Sequence, residues 1–266
     1  MAVARIAGAE LHYNVIGSGE PLILVSGMGG VASYWAPQLE AFAKHFTVVT
    51  FDQRGTGRST HTKVDSVDML AADLVSLMDK IGLERAHIVG HSTGGMLAQI
   101  VAIDHPLRVD RLVLYGSRAS TDAFTERAMG MRREAILHCG MESFVHSTAV
   151  FLYPSWWIRR NDDRLRAAEA LALANAAPPE VMASRIAAVL HHEQMERLHL
   201  IGSPTLVLCA CDDFLTPTYY SEEMAAAIPR ARLAFIESGG HACSQTNPEA
   251  FNRVVLDFLQ SEPSPE

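Results

Sequence analysis

Short apolar runs alternate along this chain with amphipathic stretches of helical periodicity, and this alternation restricts the possible folds more than any other feature. The apolar runs cover residues 22–26, 46–51, 86–90, 113–115, 205–209 and 233–236. The amphipathic stretches cover residues 33–45, 66–81, 93–105, 217–228 and 247–260. Buried strands that alternate with helices predict an α/β fold, in which a mostly parallel sheet is covered by helices on both faces.

One long segment interrupts the alternation. Residues 119–200 contain no convincing strand, are rich in Ala, Met, Arg and Glu, and show helical spacing at 126–138 and 165–176. We therefore expect a core domain made of residues 1–118 and 201–266, with 119–200 forming a helical cap, or lid. Open α/β sheets bind ligands beyond the carboxyl ends of their strands, which is where we expect this cap to lie.

Composition narrows the class of partner. The 266 residues carry 22 Lys and Arg against 30 Asp and Glu, a net charge of −8, which argues against binding to nucleic acid or to an anionic membrane surface. No apolar stretch approaches the ~20 residues that a membrane-spanning helix needs. We expect a small-molecule substrate and a chain that acts as a monomer or a homodimer.

Cysteine usage and the chain ends indicate the compartment. Four cysteines are too few for a disulfide framework in a chain of this length, which favours the cytoplasm. The amino-terminal residues meet Glu10 and His12 before any signal-peptide apolar run can form. The short tail at residues 261–266, made of Ser, Pro and Glu, is expected to be frayed.

The most specific local motif is Gly90-His91-Ser92-Thr93-Gly94, which follows an apolar run and opens a helical stretch. This is the G-x-S-x-G pattern in the strand-turn-helix context of a nucleophile elbow. The turn exposes the serine hydroxyl, and the start of the helix supplies free backbone N–H groups. The alternative, an ordinary glycine turn with a helix-capping serine, fits this context less well.

A serine hydroxyl needs a general base and an orienting carboxylate before it can act as a nucleophile. His241 lies in a Gly-Gly-His loop after the apolar run 233–236, and Asp213 lies in the loop after the run 205–209. We prefer Asp213 to its neighbour Asp212, for which we expect a turn-stabilising role, and we keep Asp122 as an alternative acid. The predicted catalytic set is Ser92, Asp213 and His241.

An acyl-transfer site also needs two N–H donors for the developing oxyanion. Thr93, the residue after the nucleophile, supplies one, and Met28, in the glycine-rich segment 26–30, supplies the other. A plain turn or a phosphate-binding loop are alternatives for the glycine-rich segment. Its spacing does not match the G-x-G-x-x-G pattern of dinucleotide-binding loops.

Pocket-lining residues are harder to assign. Chain proximity to the elbow and the oxyanion loop favours Gly27, Trp35 and Met96. In the cap, aromatic residues could line an apolar pocket or instead form the cap's own small core; these are Tyr153, Trp156 and Trp157. The arginine pairs 132–133 and 159–160 are predicted to be solvated helix faces, although one of these arginines could hold a substrate carboxylate.

Metal and cofactor sites are not expected. Twelve histidines occur, but no H-E-x-x-H motif is present. The pairs Cys209-x-Cys211 and His241-x-Cys243 could in principle meet, yet Cys209 belongs to a buried run, where cysteine behaves as a small apolar residue. We predict that no metal and no cofactor takes part in the reaction.

Taken together, these segments resemble the α/β-hydrolase family over the whole chain. Residues 26–30 are similar to its oxyanion loop, with Ser26 in place of histidine, and residues 52–59 are similar to its D-x-R-G-x-G-x-S segment. The resemblance implies an eight-stranded, mostly parallel sheet, a helical cap inserted after strand six, and structural roles for Asp52 and Arg54.

Four short segments are similar to aminoacrylate hydrolases of bacterial pyrimidine utilisation. They are residues 33–39, 151–154, 170–174 and 239–243. Capped family members with a serine elbow are more often carboxylesterases, lactonases or enol-lactonases. The leading hypothesis is therefore a serine hydrolase that cleaves a small carboxylic ester or lactone through an acyl-enzyme. Alternatives are a hydrolase of C–N bonds in aminoacrylate, carbamate or amide substrates, a non-catalytic ligand-binding relative, and cofactor-free oxidative chemistry.

Overall fold

The computed structural model describes residues 2–261, so most of the predicted tail at 261–266 lies outside the described residues. Its strands are β1 (Ala2–Ile6), β2 (Ala9–Ile16), β3 (Glu20–Val25), β4 (Phe46–Phe51), β5 (Ala86–His91), β6 (Val109–Tyr115), β7 (Thr205–Ala210) and β8 (Ala231–Ile236). They form one eight-stranded sheet in the order β1-β2-β4-β3-β5-β6-β7-β8. Strands β1 and β2 pair antiparallel with their neighbours, and the remaining pairs are parallel. The predicted fold class is confirmed.

Eleven α-helices lie within residues 2–261. They are α1 (Ala36–Phe42), α2 (Val67–Lys80), α3 (Thr93–Asp104), α4 (Ala123–His138), α5 (Gly140–Leu152), α6 (Ser155–Arg160), α7 (Asp162–Ala174), α8 (Pro179–Leu190), α9 (Thr218–Ala227), α10 (Cys243–Thr246) and α11 (Pro248–Gln260). Short 3-10 helices occupy Ala32–Trp35, Pro106–Arg108 and Met195–Leu200. None of the described helices is long and apolar enough to cross a membrane.

Both faces of the sheet are buried, as the continuous apolar strands predict. In β3, Ile23 belongs to one buried cluster and Leu24 to the other, because successive side chains of a strand point to opposite faces. Helices α2 and α3 cover the first face, and α1 and α11 cover the second. Each fully buried leucine or phenylalanine contributes roughly 1.5–3 kcal/mol relative to an exposed side chain.

Asp52 and Arg54, in the loop that follows β4, bind this loop to neighbouring segments of the fold. The Asp52 carboxylate accepts a hydrogen bond from the backbone N–H of Ala32 at 2.7 Å. Arg54 donates two hydrogen bonds to the buried Asp73, at 2.8 and 2.7 Å. Charge-assisted pairs with this forked geometry fix the relative position of two segments. The contacts give Asp52 and Arg54 a structural role.

The segment predicted as a cap contains five α-helices, the 3-10 helix Met195–Leu200 and no strand between β6 and β7. Helices α4 and α8 pack against each other, and α5 packs against both α4 and α7. Met129 of α4 and Ile186 of α8 join the buried cluster on the α2–α3 face of the sheet. We propose that residues 119–200 act as the cap of the sheet domain.

His192, which follows α8, is expected to make the free energy of unfolding depend on pH. Burial, and then the positive charge of Arg118, lowers the pKa of His192 from 6.5 to about 3. Because the unfolded chain binds this proton first, the contribution of His192 is fully present above pH 6.5 and is lost as the pH falls toward 3. Between about pH 7.5 and about pH 5, we expect this group to remove about 2 kcal/mol of the free energy of unfolding.

The measurement is urea unfolding at both pH values for the wild type and His192→Asn. The variant should lose less stability on acidification than the wild type does. His199→Asn is the matched control, since His199 is exposed, and it should follow the wild type. An equal loss in His192→Asn and the wild type would contradict the assignment.

Candidate active site

Ser92 occupies a strained turn between β5 and α3. Its φ of 53° and ψ of −118° make it the one non-glycine residue with positive φ in the part of the chain that the structure describes. Such a conformation costs about 1–3 kcal/mol and persists only where surrounding contacts enforce it. The turn has the geometry that the G-x-S-x-G motif predicts.

Gly94 shows why the elbow excludes larger residues. A Cβ at this position would lie 2.2 Å from the backbone oxygen of Val25 and 2.7 Å from that of Ser26. Both neighbours are main-chain atoms of β3 and its exit, which cannot move without disturbing the centre of the sheet. The missing side chain therefore lets α3 begin directly against β3.

Gly94→Ala is expected to destabilise the fold by more than about 3 kcal/mol, because the added methyl group overlaps the backbone. Gly130→Ala is the matched control: Gly130 lies inside α4, and a Cβ there would meet nothing within 4 Å. The control should gain ~0.5–1 kcal/mol, since alanine favours a helix interior over glycine. Urea unfolding followed by circular dichroism measures both. Similar stabilities for the two variants would contradict the packing described for Gly94.

The structure brings His241 and Asp213 together. Nδ1 of His241 lies 2.9 Å from Oδ2 and 3.1 Å from Oδ1 of Asp213, and both side chains are buried. Thr216 donates to Oδ2 of Asp213 at 2.7 Å, and its backbone N–H donates to Oδ1 at 2.8 Å. The carboxylate is therefore fixed against Nδ1, which leaves Nε2 of His241 as the nitrogen that can exchange a proton with Ser92.

The other two aspartates considered from the sequence have different surroundings. Asp212 accepts hydrogen bonds from the backbone N–H groups of Gly239 and Gly240, both at 2.8 Å, so it holds the loop that carries His241. Asp122 caps the start of α4 by accepting from the N–H of Thr125 at 2.8 Å. Its other contacts are the hydroxyls of Tyr219 and Tyr220. The geometry therefore selects Asp213 as the partner of His241.

The backbone carbonyl of His241 is held by two buried donors, Tyr115 and His91. Tyr115 donates from its hydroxyl at 2.8 Å, and Nε2 of His91 lies 3.0 Å from the same oxygen. The ring of His91 is stacked between Tyr34 and Tyr115, with centroids 4.7 and 4.6 Å away. Burial, and then the charge of His241, lowers the pKa of His91 well below its usual value. A neutral His91 thus positions the catalytic loop.

Ser92 and His241 line one cavity of about 140 Å³ below the cap. This volume is smaller than the roughly 300–1,000 Å³ of pockets for drug-sized ligands, so it suits a small substrate. Within residues 2–261, Ser92 Oγ has no hydrogen bond to His241 within 3.5 Å. Catalytic hydrogen bonds are often long without a ligand and tighten when substrate binds.

Both predicted oxyanion residues, Met28 and Thr93, also line this cavity. Among the described residues, neither backbone N–H has a backbone acceptor, so both can serve a ligand. Nε of Arg185, in α8, donates a hydrogen bond to the backbone carbonyl oxygen of Met28 at 3.2 Å. Its two terminal nitrogens donate to the carbonyl oxygen of Arg54 and to Oε1 of Gln53, both at 2.7 Å. The cap therefore fixes the oxyanion loop through a buried arginine.

The pocket predictions are corrected in part. Gly27 and Met96 line the cavity, but Trp35, Tyr153, Trp156 and Trp157 do not. Trp35 is fully buried in the core, where its ring centroid lies 6.2 Å from that of Phe251. Its neighbour Tyr34 lines the cavity instead.

Tyr153, Trp156 and Trp157 do not line the cavity for a different reason. Tyr153 and Trp157 stack on each other at 4.7 Å within the cap, while Trp156 is 41% exposed. Tyr153 and Trp157 therefore pack on each other, as the alternative interpretation predicts, whereas Trp156 belongs to neither the cavity nor a buried core.

Other lining residues come from segments without a sequence motif. The cap and its approaches contribute Arg118, Thr125, Met129, Arg132, Thr148, Leu152 and Val189. Arg132 was predicted to lie on a solvated helix face, yet it is only 3% exposed. No group of three or more His, Cys, Asp or Glu side chains that could hold a metal ion occurs among residues 2–261.

Comparison with known proteins identifies the family. The family model described as the alpha/beta hydrolase fold matches residues 20–248, which include the elbow, the acid loop and the Gly-Gly-His loop. The chain belongs to the α/β-hydrolase family. It is therefore a hydrolase-family enzyme, and the resemblance inferred from its motifs is confirmed.

The similar proteins are named for hydrolysis of different substrates, carbamates in two relatives and an enol-lactone in a solved structure. RutD of Caulobacter sp. (strain K31), provisionally named a carbamate hydrolase, is 39% identical over 95% of each chain. RutD of Azorhizobium caulinodans has the same provisional name and is 38% identical. The matched region covers 97% of the present chain and 98% of the Azorhizobium chain. The enol-lactonase structure from Burkholderia xenovorans LB400 is 26% identical, covers 98% of this chain and 100% of its own, and superposes with a TM-score of 0.91.

Proposed function

We propose that this α/β-hydrolase is a serine hydrolase that cleaves a small acyl compound through an acyl-enzyme. The observation that carries the proposal is the shared cavity of Ser92 and His241, with Asp213 fixed on the far side of the imidazole. Ser92 is the nucleophile, His241 the general base and acid, and Asp213 the group that orients His241. The N–H groups of Met28 and Thr93 stabilise the oxyanion.

The proposed reaction has two halves. Ser92 Oγ forms a bond to the substrate carbonyl carbon as its proton passes to Nε2 of His241. The bond from that carbon to the leaving nitrogen or oxygen then breaks, and His241 returns the proton to the leaving group. Water next attacks the acyl-enzyme and gives a proton to His241, which restores the Ser92 hydroxyl when the acid leaves. The net change is hydrolysis, with no redox step.

For the bond that is cleaved, we propose a C–N bond of the carbamate type as the first candidate. The relatives named for carbamate hydrolysis are 38–39% identical over nearly the whole chain. A carboxylic ester or lactone, which the sequence alone favoured, is the second candidate. The lactonase that supports it has a very similar fold but only 26% identity.

A matched substrate series separates the two candidates. A small carbamate, an ester and a lactone of similar acyl size are compared by rate enhancement, the ratio of kcat to the spontaneous hydrolysis rate, because esters are intrinsically more reactive. Ser92→Ala supplies the background rate. We expect the largest enhancement for the carbamate; a larger enhancement for the lactone or ester would assign the second candidate. No turnover above the Ser92→Ala background for any member would contradict hydrolase function.

We further propose a cytoplasmic location and a small-molecule substrate as the partner. The four cysteines are all free in the structure, which agrees with a reducing compartment. The small cavity beneath the cap gives no room for a macromolecular substrate at Ser92. Fractionation of the cells that express the protein tests the location.

A further inference from the structure

Arg132 presents an unpaired positive charge inside the catalytic cavity. It belongs to α4, is 3% exposed, and lines the same cavity as Ser92. Two of its three guanidinium nitrogens, Nε and Nη1, have no hydrogen-bond partner. A buried guanidinium with two free donors is costly unless a ligand satisfies it.

The surroundings of Arg132 supply one hydroxyl and two aromatic rings but no carboxylate. Nη2 donates to the Thr148 hydroxyl at 3.2 Å, and the rings of Phe144 and Phe151 lie 4.9 and 5.1 Å from the guanidinium carbon. No Asp or Glu within residues 2–261 forms an ion pair with it. Burial lowers the pKa of Arg132 to about 10, so the side chain stays charged at neutral pH.

Other buried arginines of the protein are satisfied by the fold. Arg54 is paired with Asp73. Arg185 uses all three nitrogens on oxygen acceptors. The free donors of Arg132 are therefore a local exception rather than a general property of buried arginines in this chain.

The cavity is otherwise suited to a small anion. No acidic residue lines it. Arg118 also lines it, but its guanidinium already donates to Ser120, Thr121 and Val189, so Arg132 is the lining arginine with free donors. The remaining wall of the cavity is largely apolar, with Met96, Met129 and Leu152. An unsatisfied arginine with no lining carboxylate favours a negatively charged ligand, and the forked donors of arginine match the two oxygens of a carboxylate.

We propose that Arg132 binds the carboxylate of the substrate and so selects small acyl compounds that carry a negative charge. This inference rests on the proposed function, since it places the hydrolysed carbonyl at Ser92 and the carboxylate at Arg132 in one cavity. Arg132 is a specificity-determining residue and takes no part in proton transfer.

Binding tests the proposal without requiring turnover. Isothermal titration with succinate is performed on the wild type, Arg132→Met, Arg132→Lys and the matched control Arg133→Met, whose arginine is exposed on the same helix. We expect Arg132→Met to weaken succinate binding by about 10- to 100-fold, the effect of losing charge-assisted hydrogen bonds. Arg132→Lys should be intermediate, because lysine keeps the charge but not the fork, and Arg133→Met should match the wild type.

Steady-state kinetics give a second, independent test of the role proposed for Arg132. With mono-(4-nitrophenyl) succinate, Arg132→Met should raise KM at least tenfold more than it does with neutral 4-nitrophenyl acetate, whereas Arg133→Met should leave both KM values at the wild-type level. Its melting temperature should equal or exceed that of the wild type, because an uncompensated buried charge is removed. A lower melting temperature with equal losses on both esters would instead indicate a structural role and overturn the proposal.

The two proposals fail in different ways. If Arg132→Met binds succinate as the wild type does, or if the wild type binds none of succinate, malonate and glutarate, the anion site is overturned while hydrolysis of neutral esters by Ser92 stands. If no variant hydrolyses any ester but succinate binding still depends on Arg132, the anion site stands and the serine hydrolase proposal fails.

Discussion

Ser92→Ala is expected to lower kcat by about 10⁴- to 10⁶-fold, because loss of the nucleophile leaves only the oxyanion donors and substrate binding to accelerate the reaction. The variant should fold, and its free energy of unfolding should stay within about 1 kcal/mol of the wild type, since alanine removes a single oxygen from the strained turn. Steady-state kinetics with the best substrate of the series measures the loss.

Ser203→Ala is the matched control for this variant. Ser203 lies just before β7, and its hydroxyl is buried without a hydrogen-bond partner, so removal should change neither stability nor kcat. A Ser92→Ala protein that keeps more than about a tenth of wild-type kcat would show that the reaction does not use Ser92 as nucleophile.

Asp213→Asn is expected to lower kcat by about 10⁴-fold while leaving the structure intact. The asparagine amide would face Nδ1 of His241 with a donor, which favours the tautomer that carries its proton on Nε2 and cannot accept from Ser92. The contacts from Thr216 to the same carboxylate, at 2.7 and 2.8 Å, would lose their charge assistance as well.

Asp122→Asn is the matched control for the acid. Asp122 lies at the start of α4 with Tyr219 and Tyr220, and asparagine caps a helix about as well as aspartate does. Its kcat should stay within about threefold of the wild type. If Asp122→Asn lost more activity than Asp213→Asn, the acid would have to be reassigned to Asp122.

The centre of the fold could be predicted from the sequence because its strands are buried throughout. All six residues of β5 and all six of β7 are buried, and in each strand most residues are apolar, although β5 also carries His87 and His91. The antiparallel strands β1 and β2 show no apolar run in the sequence. Most of their residues are only partly buried or exposed, with polar groups such as Glu10 and His12 among them. The strand count therefore came from the family resemblance.

The candidate catalytic residues could be located from the sequence because each lies in a loop that follows a strand. Their order along the chain places them at one edge of a parallel sheet, where Ser92 and His241 line the same cavity. The choice between Asp212 and Asp213 depended on the direction of two adjacent side chains, which the loop geometry decides.

The pocket could not be predicted because it depends on how the cap helices pack on the sheet. Tyr34 and Trp35 are adjacent, yet one faces the cavity and the other the core. Arg132 and Arg133 are likewise adjacent on α4, and only the first turns inward. No local pattern distinguishes the members of either pair, since the difference arises from tertiary contacts.

The central claim is that Ser92 is the nucleophile activated by His241, and covalent labelling tests it most directly. The protein is treated with a fluorophosphonate, and the adduct is located by intact-mass and peptide mass spectrometry in the wild type, Ser92→Ala and His241→Ala. The account predicts one adduct per chain on Ser92, none in Ser92→Ala, and labelling slowed by at least about 100-fold in His241→Ala. An adduct on another residue, or equal labelling of the Ser92→Ala protein, would contradict it.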